Sequence, residues 1–105
     1  MTRPTYYILK GHNAVPVNDA PHPWPSHETR SVAQTYMEND VHISAVFLVI
    51  DHAWDGPPDL FETMIFGGPH SDTQWRYHTW DEAAAGHARI VAALEAGTDP
   101  WTEGD

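Results

Sequence analysis

The apolar residues follow two different rhythms. Through residue 78 they come in short runs with period-two alternation. From Trp80 onward they recur at helical spacing. The chain is organised around residues 41–66, VHISAVFLVIDHAWDGPPDLFETMIF, which hold the longest apolar run, a Gly-Pro-Pro turn and a second apolar run. This pattern predicts a hairpin of two strands, 41–50 and 60–66, reversed by residues 51–59 and ended by Gly67-Gly68-Pro69. Val41, Ile43, Ala45, Phe47 and Val49 share one face of the first strand. His42, Ser44, Val46, Leu48 and Ile50 share the other, and both faces turn apolar from Ala45 onward. That strand belongs at the centre of a sheet, covered on both sides.

The flanking elements follow from local chemistry. Residues 5–9 read as a strand, Gly11-His12-Asn13 as a turn, and 14–17 as a short return that Pro16 confines to an edge. The DAPHPWPS tract, 19–26, reads as a polyproline-like connection with one helical turn after Pro25 and Trp24 anchored in the core. A proline-rich ligand for a partner's aromatic groove is its other reading. Residues 31–37 fit either a helix continuing from Ser26 or a strand; Val32, Thr35 and Tyr36 favour the strand. A two-residue turn at Asn39-Asp40 would set Tyr36 opposite Ile43 and Val32 opposite Phe47. Residues 74–78 form a short edge strand with Trp75 and Tyr77 on one face.

Thr79 to Glu82 fits a capping box, which opens a helix over 80–96 that Gly97 stops. Trp80, Ala83, Ala84, His87, Ile90, Val91 and Leu94 fall on one stripe of it. Together these elements predict an α+β domain over residues 1–96, an antiparallel sheet of about four strands packed on one long C-terminal helix. Residues 97–105 form an acidic tail, mobile unless Trp101 docks.

Composition narrows the function classes. Without Cys there is no disulfide scaffold, thiolate zinc site or cysteine nucleophile. The formal net charge of −10, from 15 acidic and 5 basic residues, disfavours direct nucleic-acid binding, because an anionic surface repels phosphate. The same charge suits an acidic mimic of nucleic acid. No apolar run is long enough to cross a bilayer, and residues 6–9 are too short for a signal-peptide core. The expectation is therefore a cytoplasmic protein without membrane attachment. The 8 His residues make its charge sensitive to pH near neutrality.

Few residues suggest chemistry. His87 sits in the apolar stripe of the helix beside Gly86, and a buried imidazole needs a hydrogen-bond partner. Glu62 and Thr63, in the opposing strand, are the candidates; a Glu62–His87 pair could be structural or an acid–base pair in a cleft. Asp51 and His52 end the central strand and are weak metal-ligand candidates, lacking the HxH, HExxH or HxxxH spacings. No phosphate loop or nucleophile elbow is present, and no cofactor is expected. Trp24, Trp54, Trp75 and Trp101 fall in loops, edges or the tail, where aromatic side chains serve protein interfaces. One helix covers one sheet face. The other needs the N-terminal segment, a second copy of the chain in a homodimer, or a partner.

Two stretches, HISAVFLVIDHAWDGPPDLFETMIFGGP and RYHTWDEAAAGHARIVAAL, resemble a family of small uncharacterised proteins. Its members occur in bacteriophages, notably those of actinobacteria, and in bacterial genomes with phage-derived genes. The resemblance spans residues 31–94, and the 19–25 tract departs from it. It implies a phage accessory product acting in the bacterial cytoplasm, and it brings no functional residues with it. The leading expectation is a non-enzymatic protein that binds a host or phage protein. The alternative is a small metal-dependent hydrolase using His, Asp and Glu near the 51–62 turn; the acidic mimic is third.

Overall fold

The structure, a computed structural model, describes residues 6–101. Thr5, the expected start of the first strand, and tail residues 102–105 lie outside the described residues. In chain order the elements are β1 (Tyr6–Lys10), β2 (Asn13–Val17), α1 (His27–Arg30), β3 (Ser31–Met37), β4 (Val41–Phe47), β5 (Phe61–Phe66), β6 (Gln74–Tyr77) and α2 (Trp80–Glu95). The sheet β3-β4-β5-β6 is antiparallel throughout, and β1-β2 forms a separate hairpin. The α+β architecture is therefore as the sequence predicts.

The central pair is β4 and β5, with Ile43 opposite Ile65 and Phe47 opposite Phe61. The strand expected to reach residue 50 ends at Phe47. Two residues later, Val49 takes φ 73° and the chain leaves the extended path. Its carbonyl accepts a 2.8 Å hydrogen bond from the Tyr7 N–H, and Tyr6 bridges to Ile50. The β1-β2 hairpin thus docks on the far end of β4.

α2 begins as its sequence dictates. Thr79 Oγ1 accepts from the Glu82 N–H, and the Glu82 carboxylate accepts from the Thr79 N–H, completing the capping box. Ala83, Gly86, His87 and Ile90 are its buried residues, spaced three and four apart. They face Ile43, Phe47, Phe61, Thr63 and Ile65 of the sheet, all within 1% of full burial. Each large apolar side chain among them stabilises the fold by about 1.5–3 kcal/mol. Tyr7 of β1, Val49 and Leu60 extend this core, with Leu9, Ala14 and Trp80 packed against it. His12, in the β1-β2 turn, stacks on Trp80 at 3.9 Å and 7°.

At Gly86 the helix lies against the Tyr77 side chain of β6. A Cβ there would collide with the Tyr77 ring and hydroxyl. Only glycine fits this contact without displacing Tyr77.

Two expectations are corrected. Trp24 is not a core anchor; it is 45% exposed. The β3–β4 register differs by one residue, because Glu38, Asn39 and Asp40 make a three-residue connection with Asn39 and Asp40 at positive φ. Thr35, not Tyr36, lies opposite Ile43, and Tyr36 lies opposite His42. Val32 has no partner at Phe47, because the register shifts between Ser31 and Ala33. Among the described residues no helix is long and apolar enough to cross a membrane.

Candidate functional site

The one-residue register decides which side chains meet α2 and which meet solvent. Thr35, Ile43, Thr63 and Trp75 share the helix-facing side. Tyr36, His42 and Phe66 form a row across β3, β4 and β5 on the opposite side. Tyr36 stacks on His42 at 4.2 Å and 10°, and His42 on Phe66 at 5.7 Å and 28°. Tyr36 is 74% and Phe66 44% exposed. The β1-β2 hairpin joins the core on the α2 side, while α1 contacts β4, and Ser44, on the same face as the row, is buried.

His42 holds its place in the row through Nε2, which donates to Gln34 Oε1 at 2.7 Å. Gln34 Nε2 in turn donates to Ser31 Oγ. Partial burial holds the His42 pKa below the usual imidazole value, and the nearby His27 lowers it further. Both effects favour the neutral form of the His42 ring. Further along the same face, Arg76 Nε donates to Glu62 Oε2 at 3.1 Å, pairing adjacent strands.

That pairing overturns the Glu62–His87 expectation. Glu62 lies opposite Val46 and Arg76, on the side of the sheet away from α2. His87 reaches β3 instead, where Nε2 shares a 2.8 Å hydrogen bond with Thr35 Oγ1. Burial, and to a smaller degree His42, hold its pKa below the usual value. Thr63 does face the helix, yet Thr63 Oγ1 and His87 Nδ1 have no hydrogen-bond partner among the described residues.

Asp51 and His52 occupy the loop after β4. Asp51 Oδ1 accepts from the N–H groups of Ala53 and Asp59, and the His52 N–H donates to the Asp59 carbonyl. The Asp51 carboxylate thereby closes the loop, and the His52 side chain is exposed. His78 Nδ1 lies 2.9 Å from the Pro58 carbonyl and 3.1 Å from Asp59 Oδ1. Among the described residues no three His, Asp or Glu side chains converge to hold a metal ion.

The four tryptophans do not gather into one patch. Trp54 is fully exposed in the loop. Trp101 packs on Trp75 at 4.6 Å, and Arg89 Nη1 donates to the Pro100 carbonyl at 2.8 Å. The first residues of the tail are docked in this way, and Pro100 is buried. The Tyr36–His42–Phe66 row was not foreseen. The correct β3–β4 register is the signal that reveals it. No family model, curated protein or solved structure matches the chain.

Proposed function

We propose that the chain is a small non-enzymatic binding protein of phage accessory type. It engages a host or phage protein through the Tyr36–His42–Phe66 face. The observation that carries this reading is the exposure of two large aromatic side chains, Tyr36 and Phe66, stacked through His42 on the sheet face away from α2. Aromatic side chains lose little rotamer freedom on binding and bury a large area, so such rows anchor protein interfaces. The −10 charge adds steering toward a basic partner. A second copy of the chain on the same face is the other occupant this surface would accept.

The test is comparative affinity capture from host lysate. Wild type, a Tyr36→Ser/Phe66→Ser variant and a Trp54→Ser variant are used as baits. A protein retained by wild type and Trp54→Ser but lost by the double variant is expected. Identical retention by all three overturns the reading. Sedimentation of the same variants separates a homodimer, which the double substitution would dissociate.

A further inference from the structure

Where β3 turns into β4, the sheet and the C-terminal end of α2 do not close on each other. They leave a cavity of about 380 Å³. Met37, Val41, Ile65 and Leu94 supply its apolar lining. Met37 and Val41 of the sheet and Leu94 of α2 pack against the core of Ile43, Ile65 and Ile90. One end is closed by the approach of Gly67, at φ 86°, to the Asp40 carbonyl, where a Cβ would collide. A volume near the lower end of the usual ligand-pocket range suits a small molecule or a single long side chain.

The polar lining has one sign. Glu38 and Asp99 are in the lining, Asp99 Oδ1 also accepting from the Trp101 N–H, and no Lys or Arg lines the cavity. Leu94, Gly97 and Thr98 place it at the C-terminal end of α2, the negative end of the helix dipole. The last turn of that helix carries no basic side chain to offset the dipole. His70 is the remaining ionisable group in the lining. An apolar interior beneath an anionic mouth is complementary to an alkyl chain that ends in a cation.

We infer that this cavity is a binding site for an alkylammonium group. The chain lies against Met37, Val41, Ile65 and Leu94, and the ammonium sits between Glu38, Asp99 and the end of α2. This chemistry has two sources, a free aliphatic amine or the lysine side chain of a protein. The site stands apart from the aromatic row, which lies on the other face of the sheet.

Three probes with one chain length test it. The full chain, labelled with ¹⁵N, is titrated at pH 8 with n-hexylammonium, n-hexanol and hexanoate. The expected result is saturable shifts of the Val41, Gly67, Leu94 and Gly97 amides with hexylammonium, and binding at least about fivefold weaker with the other two. Glu38→Gln/Asp99→Asn, two exposed positions, should weaken hexylammonium by a similar factor and leave the thermal unfolding curve in place. Titration with Nα-acetyl-lysine methylamide then separates the sources. Shifts at the same amides assign a protein lysine, and their absence beside a hexylammonium response assigns a free amine. Equal responses to all three hexyl probes, or none to hexylammonium, overturn the inference.

Discussion

Thr35 on the edge strand β3 and His87 on α2 are joined by a 2.8 Å hydrogen bond across the core. The His87 ring is buried, and its other nitrogen has no hydrogen-bond partner among the described residues. Thr35→Val keeps the shape of the strand residue but leaves both ring nitrogens without a partner. Stranding a buried polar group costs about 1–3 kcal/mol, whereas replacing both partners with apolar groups is nearly neutral. Urea unfolding should therefore show a loss of that size for Thr35→Val and a large recovery in Thr35→Val/His87→Leu. Additive losses would show that the pair is not coupled.

His42 and His87 both have pKa values held below 6.5, chiefly by burial. The unfolded chain then binds more protons than the folded one just below that pH, so stability rises with pH there. The contribution is complete above pH 6.5, falls as the pH drops through that value, and levels off below the folded pKa values. His42→Gln/His87→Gln should flatten the difference in urea midpoint between pH 7.5 and 5.5, with the other six histidines common to both proteins. An unchanged difference would assign the pH dependence elsewhere.

The partner of His87 was hidden from the sequence by one residue of register. Alternation correctly assigned Ile43, Ala45 and Phe47 to one face, and the capping box fixed the start of α2 at Thr79. Neither signal states how long the β3–β4 connection is. Asn39-Asp40 reads as a two-residue turn, but both residues and Glu38 are used. The extra residue turns Tyr36 outward to His42 and Thr35 inward to His87. Glu62 is a separate case, because its face is set by the β4–β5 register and not by the β3–β4 connection. Its true neighbour, Arg76, lies across the β5–β6 ladder, a pairing set by the Gly67–Thr73 connection and not by helix spacing. The Val49 kink was invisible for a related reason. A Val in an apolar run predicts extended backbone, whereas Val49 takes positive φ where its carbonyl meets the Tyr7 N–H of β1.

Arg89 ties residues 97–101 to α2 through the Pro100 carbonyl. Arg89→Met retains the aliphatic stem and removes the donor. Trp101 should then separate from Trp75, since the backbone beside it loses its anchor. Amide exchange at Trp101 should accelerate, and the near-ultraviolet circular dichroism of the Trp75–Trp101 pair should weaken, while exchange in the centre of α2 stays slow. Unchanged protection at Trp101 would show that the Trp75 ring packing, the Thr98–Ala93 hydrogen bonds and the Trp101 N–H bond to Asp99 Oδ1 hold the segment without Arg89.

Gly86 is a glycine in the middle of a helix, where alanine would ordinarily stabilise by roughly 1 kcal/mol. Here the Cβ would meet the Tyr77 ring. Tyr77 is held in β6 opposite Phe61 and packs against the core. Gly86→Ala must move the helix or displace that ring, and overpacking of this kind costs about 1–3 kcal/mol. In a Tyr77→Leu background the nearest atoms, the hydroxyl and distal ring carbons, are gone. The helix preference for alanine should then reappear. A double-mutant cycle by urea unfolding should give a destabilising Gly86→Ala step with Tyr77 present and a neutral or stabilising step with Leu at that position. The same sign in both backgrounds would show that steric contact with Tyr77 is not what requires glycine.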